Sequence, residues 1–412
     1  MVTGGLSKVD GKEITITMSA IDQKKKSTEG LLVANQSRTA DAATTTGQIA
    51  DSGLLEHPLS WEQNRWPHRI ALLLALTVFP LIWLGATVTT YAAGMAVPDW
   101  PGTFGYNMFL YPWTTWMFGP FNLMVEHGHR LLASLAGMIN IGLVVATWHY
   151  RCDRRIQWFA LALLGVILVQ GGLGGARVVL DARTLARAHG MLGPAFFTMV
   201  VGFCVVTSRW WTTLSVANGQ VSTGDQTGFL MSAAQLKRLR SIGWFAGLML
   251  IACYLQLCLG SFLRHVVIDT KPAFFTHLLY THLALASVIL LATGVHWWRS
   301  VGKGLSSGRI AALSHLLLVL VLLQFSLGLS TWIVKYGWSL GPFSALGSTL
   351  GIAQWEFAAK FVIIQRSLSQ ANTITAHVAV GSLILAVWAI QWLSVYRLKK
   401  IADFSTLATL PR

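Results

Sequence analysis

A chain of 412 residues, 54% of them hydrophobic and only 11% charged, with a mean hydropathy of +0.55, is too apolar for a soluble globular protein and reads as an integral membrane protein. The period-2 patterning of a transmembrane barrel is absent, so the expected fold class is all-α. The formal charge of +15 does not mark a nucleic-acid binder, because Lys and Arg fall in short loops and tails rather than on one basic face.

Residues 1–68 are expected to form a disordered cytoplasmic tail. The first 60 are polar, with a Lys24-Lys25-Lys26 cluster and no apolar run of signal-peptide length, and Trp61 and Trp66 then announce the membrane interface. A helix needs roughly 20 apolar residues to cross a hydrocarbon core of ~30 Å. Eight such stretches follow, at about 69–91, 130–150, 156–177, 188–208, 241–263, 277–298, 310–333 and 374–396. Basic residues cluster between spans 2 and 3 (Arg151, Arg154, Arg155), between spans 4 and 5 (Arg209, Lys237, Arg238, Arg240), after span 6 (Arg299, Lys303, Arg309) and after span 8 (Arg397, Lys399, Lys400). The stretch from Ala92 to Val125 has none. The positive-inside rule therefore puts both termini in the cytoplasm, although Arg177, Arg183, Arg187, Lys335, Lys360 and Arg366 weaken the bias on the outer side.

After span 1 the first outer loop carries Val97-Pro98-Asp99-Trp100-Pro101 and many aromatics from Phe104 to Phe121. Two prolines around Asp-Trp make a rigid, extended turn, which suits either a lid over an outer site or an aromatic belt on lipid headgroups. Span 2 opens on Glu126-His127-Gly128-His129-Arg130. Ionisable groups at the edge of a span are costly and are a functional hypothesis by default. Span 3 carries Gln170-Gly171-Gly172-Leu173-Gly174-Gly175, small residues that let helix backbones approach closely, and His189 opens span 4. A linker at 210–240, rich in Ser, Thr, Gly and Gln, separates two halves, 69–209 and 241–397, and residues 398–412 form a cytoplasmic tail.

The second half echoes the first. Leu259-Gly260-Ser261 ends span 5 as Leu84-Gly85-Ala86 ends span 1, His282 opens span 6, Gln324 and Gly328 lie in span 7, and His377 opens span 8. The spacing from His129 to Gln170 is 41 residues and from His282 to Gln324 is 42. The chain thus reads as two tandem four-helix bundles, parallel rather than inverted, with equivalent residues at equivalent depth. Cys152, Cys204, Cys253 and Cys258 lack metal-type or disulfide spacing and read as small packing residues.

His129, His189, His282 and His377 therefore share one depth near the outer face. In each half, two facing helices bring one imidazole each, which is what a bis-histidine haem site in a helix bundle requires. A non-haem metal fits less well, since no carboxylate joins three of the four at ligand spacing. His127, His149, His265, His277, His296 and His315 lack the symmetry and read as interfacial or packing residues. The halves differ at one position: Glu126 shares a helical face with His129, whereas the position equivalent to it before His282 is Leu279. Glu126 can act as an acid beside an iron site, or be an ion-pair partner of Arg130 or a contributor to the start of span 2.

The Glu126-His127-Gly128-His129-Arg130 stretch, Pro98-Asp99-Trp100-Pro101, the Gln170 to Gly174 run and the four histidines together resemble the haem A synthase family over about residues 69–397. The resemblance implies an enzyme of the inner (plasma) membrane that oxidises the ring D methyl of haem O to the formyl of haem A by successive hydroxylations and loss of water. It assigns His129 and His189 to the substrate haem, Glu126 to catalysis, and His282 and His377 to a haem b that passes electrons. The propionate partners stay open, although Arg130, Arg183 and Arg187 are suitably charged and placed. Haem O synthase and cytochrome oxidase assembly factors are the partners it suggests, homo-oligomers are compatible with it, and the electron donor stays open. Residues 92–125 hold no cysteine pair, so the chain is similar to the cysteine-free type. The competing expectation is a non-enzymatic dihaem electron carrier, which explains four ligands but not the unmatched Glu126.

Overall fold

The protein is described by a computed structural model covering residues 64–217, 220–223, 226–229, 233–266, 270–301, 308–336 and 367–408. The tail expectation with Lys24-Lys25-Lys26 and Trp61, Lys303, and the part of the last outer loop containing Lys360 and Arg366 lie outside the described residues. Eight helices are long and apolar enough to cross a membrane. They are α1 Trp66–Thr90, α2 Phe121–His149, α3 Arg154–Val179, α4 Arg183–Val206, α5 Ala233–Arg264, α6 Pro272–Val301, α7 Gly308–Tyr336 and α8 Leu368–Ala408. The chain is thus an all-α integral membrane protein, as its composition predicts.

The helices begin earlier and run longer than hydropathy alone suggests. α2 starts at Phe121, directly after Pro120, so the Glu126 to Arg130 stretch sits inside the helix rather than at its mouth. Proline before a helix is a start signal, because it cannot continue one backwards. His189, His282 and His377 likewise lie roughly two to three turns inside α4, α6 and α8.

In the first half α1 packs on α2 and α4, and α3 closes the ring between α2 and α4. In the second half α5 packs on α6 and α8, and α7 closes the ring between α6 and α8. Each half has its own apolar core. Leu74, Leu143, Leu163, Phe197 and Phe203 fill the first, and Met249, Leu317, Val321, Leu385 and Trp388 the second. α8 also packs on α1 and α4, and α4 touches α5, which joins the halves. This explains why 61% of the apolar window of α8 is buried against 11% of that of α6. Hydroxyls within the spans bond back to their own helix, as Thr87 to the Trp83 carbonyl (3.0 Å) and Ser314 to that of Ile310 (2.8 Å), so little polar surface faces lipid.

The connection between the halves is not purely irregular. β1 Leu214–Ala217, β2 Gln220–Thr223 and β3 Gln226–Phe229 form an antiparallel sheet in the order β1-β2-β3, with a register shift between Val221 and Thr223. Its sequence signal is Asn218-Gly219, a strong hairpin dipeptide, between segments carrying Val216 and Val221.

Candidate functional site

Each of the four histidines rests on a glycine of the preceding odd-numbered helix. A Cβ at Gly85 would come within 2.8 Å of His129 Cε1, at Gly174 within 3.1 Å of His189, at Gly260 within 3.3 Å of His282 and at Gly328 within 3.1 Å of His377. Any side chain there would push the ring away, so the paired glycines noticed in the sequence are seats for imidazoles. Four residues before each glycine stands a residue whose backbone faces the ring: Leu81, Gln170, Gln256 and Gln324. His189 Nδ1 lies 3.0 Å from the Gln170 carbonyl oxygen, so Nδ1 carries the proton and Nε2 keeps its lone pair. Nδ1 of His129, His282 and His377 is buried and falls short of a full hydrogen bond. The side chains of Gln170 and Gln256 return across the helix pair, donating from Nε2 to the His189 and His282 carbonyls at 2.8 and 2.9 Å.

The rings of His129 and His189 have centroids 6.2 Å apart and planes at 77°. Metal–imidazole bonds run near 2 Å, and with the ring radii added one metal between two imidazoles sets the centres about 6 Å apart. Among the described residues no cluster of three or more His, Cys, Asp or Glu side chains is poised to hold a metal. The donor set is therefore two neutral imidazoles, which suits the iron of a flat macrocycle that supplies its own in-plane nitrogens.

Glu126 is 2% exposed and lies between two guanidinium groups, Arg130 Nη2 at 3.2 Å and Arg177 Nη2 at 3.3 Å. The ion pair with Arg130 thus exists, joined by Arg177 of α3, while a role at the helix start does not, since Glu126 stands in the second turn of α2. Arg130 uses every N–H it has. Nε and Nη2 donate to Glu126, Nη2 also to the Val97 carbonyl (2.8 Å), and Nη1 to those of Asp99 (2.7 Å) and Gly102 (3.1 Å). With no donor left, Arg130 clamps the first loop and is not free for a propionate, contrary to the expectation from charge and position.

That loop is folded onto the site. Asp99 accepts from the amides of Phe104 (2.8 Å) and Gly105 (3.0 Å). The Trp100 indole and the Arg177 guanidinium occupy the space that Cβ atoms would fill at Gly175 and Gly94. His127 is fully buried, 3.1 Å from Thr103 Oγ1, with the rings of Trp116 and Tyr111 at 5.1 and 5.4 Å. Phe109, Leu110, Trp113 and Phe118 point outward and are exposed. The loop thus has one face bonded to Arg130 and another that exposes aromatic rings. Partial burial pulls the Asp99 carboxyl upward, but the Gly105 and Phe104 amides and the charge of Arg130 outweigh it and hold it below the usual carboxylate range.

Among the described residues the second pair has no equivalent of this apparatus, and Leu279 stands at the sequence position equivalent to Glu126. At the opposite end of that half, His296 Nε2 contacts Ser314, Ser300 and Gln391 at 3.3, 3.4 and 3.2 Å between Phe245 and Trp388, a closed polar knot in the core. The four cysteines are free. Cys204 and Cys253 sit in the two cores, and burial with the charge of Asp153 pushes the Cys152 thiol, outside the spans, up to about 11. Sequence reading missed Arg177 and Gln256. For Gln256 the signal was present, four residues before Gly260 as Gln170 is before Gly174; for Arg177 none was.

Fold and site define a multi-pass membrane protein with two buried imidazole pairs, of which, among the described residues, one is accompanied by a carboxylate. The chain matches the sequence profile of the COX15-CtaA family, cytochrome oxidase assembly proteins, over residues 68–270. It is 26% identical over 198 residues to a heme A synthase of Symbiobacterium thermophilum, covering 47% of this chain and 56% of that protein. It is 27% identical over 155 residues to a protoheme IX farnesyltransferase of Halobacterium salinarum strain R1, covering 37% of this chain and 31% of that protein. The chain thus spans about a third to just over half the length of these curated relatives.

Proposed function

We propose that the protein is a haem A synthase, an oxidoreductase that converts the ring D methyl of haem O into the formyl of haem A by successive hydroxylations and loss of water. In this reading the half at 69–209 takes haem O between His129 and His189, and the half at 241–397 holds haem b between His282 and His377. Both termini are cytoplasmic and both sites lie toward the outer face of the inner membrane. The heme A synthase of Symbiobacterium thermophilum supports the assignment by its name. The observation that carries it is the asymmetry between the described residues of the two halves: two equivalent imidazole pairs, one with the buried carboxylate of Glu126.

When bound, haem b supplies one-electron redox chemistry. The rest falls to the chain. His129 and His189 offer neutral nitrogens from rings locked against glycine. Glu126, held in place by Arg130 and Arg177, is set to stabilise positive charge developing on the substrate or to relay a proton from it. The loop pinned by Arg130 keeps bulk water from that carboxylate.

Co-expression with a source of haem O, followed by extraction and chromatography of the haems, tests this. Wild type is expected to accumulate haem A, while Glu126→Ala leaves haem O unconverted. An unchanged ratio of haem O to haem A in that variant would make the protein a dihaem electron carrier.

A further inference from the structure

At the histidine end the halves are tied together by two arginines that cross. Arg187 of α4 reaches toward the second half, donating from Nη2 to the His265 carbonyl (3.2 Å) with its guanidinium 5.5 Å over the Phe262 ring. Arg264, the last residue of α5, reaches the other way, donating from Nη2 to the Ala86 carbonyl and to Thr90 Oγ1 (2.7 Å) at the end of α1.

Each has a buried nitrogen without an acceptor, Nε in Arg187 and Nη1 in Arg264. No acidic side chain among the described residues pairs with Arg264, and its Nη1 is shut away from solvent. A guanidinium with an unmet N–H in such a place carries a desolvation cost that native proteins offset by supplying a partner. Its surroundings indicate which. Ala86 follows Gly85, the seat of His129, and Gly260, the seat of His282, lies one turn before Arg264 on α5. Arg264 therefore stands between the seats of one histidine from each pair. Carboxylates on the edge of a bound macrocycle are the natural match for a guanidinium, and Arg130 has no N–H to give them.

We propose that Arg264 binds a porphyrin carboxylate at the junction between the two halves, anchoring the edge of the macrocycle there. This rests on the reading that the imidazole pairs hold haem. The shared chemistry is a propionate, which could belong to the haem of either half.

The full chain, purified in detergent, is titrated with iron protoporphyrin IX and with its dimethyl ester, following the Soret band, for wild type, Arg264→Gln and Arg264→Lys. Esterification is expected to weaken binding about tenfold in wild type, as loss of one charge-assisted hydrogen bond implies, and to make no difference in Arg264→Gln, with Arg264→Lys between them. Repeating the comparison in His129→Ala/His189→Ala and His282→Ala/His377→Ala backgrounds assigns the carboxylate to one half. An ester penalty that persists in Arg264→Gln overturns the proposal. So does its absence in wild type, an outcome that needs no variant to fold. Failure of wild type to shift the Soret band of the added porphyrin instead removes the haem reading itself.

Discussion

Arg130 and Glu126 are four residues apart on one helix, and a sequence reader can pair them on spacing alone. What spacing cannot show is that the pair is buried, that a third charge arrives from 51 residues away, and that the rest of the Arg130 fork holds down the loop. The same loop carries a titratable tether. Because the Asp99 carboxyl is lowered in the folded state, its contribution is complete above the ordinary Asp value of about 4 and is lost as pH falls through the lowered folded value. Hydrogen exchange of the Phe104 and Gly105 amides, corrected for intrinsic rates, is expected to stay protected down to about pH 4 and to open only below it. Asp99→Asn should weaken that protection at neutral pH and abolish the acid step. An opening that occurs between pH 5 and 7, or one indifferent to Asp99→Asn, would count against the tether.

Among the elements, the glycines of α1, α3, α5 and α7 matter as much as the histidines of the helices beside them. In the sequence they look like close-packing residues, and only the fold shows that what approaches is an imidazole. The clearances differ, 2.8 Å at Gly85 and 3.3 Å at Gly260, so the two halves should tolerate an added methyl differently. Gly85→Ala is expected to cost about 1–3 kcal/mol of stability and to displace His129, with Gly260→Ala milder. Thermal unfolding in detergent and haem content per chain would show this as a larger loss for Gly85→Ala. Equal behaviour would mean the rings move freely off their seats. Helix starts were legible where proline announces them, as at Pro120, but the hydropathy count passed over that signal because Asn122, Glu126 and His127 dilute the first turns of α2.

Taken whole, the molecule is two four-helix rings with separate cores, joined chiefly through α8. If the second ring holds a permanent haem b, His282→Ala or His377→Ala should remove it, while Glu126→Ala, in the other ring, should leave haem b per chain unchanged. Loss of haem b from Glu126→Ala alone would overturn the division of labour.

Eight spans were determined by the sequence itself, and the internal repeat, the four histidines and the lone Glu126 beside them could be read from it. Apolar length, repeat spacing and residue type are properties of a segment facing lipid and are written locally. The tertiary structure alone decided that Glu126 lies between Arg130 and Arg177, that the first loop is clamped over it, that each histidine sits on a glycine, and that Arg264 crosses to α1. Apart from the Glu126–Arg130 pair, those contacts join residues tens to hundreds of positions apart, and their geometry exists only once the helices have packed.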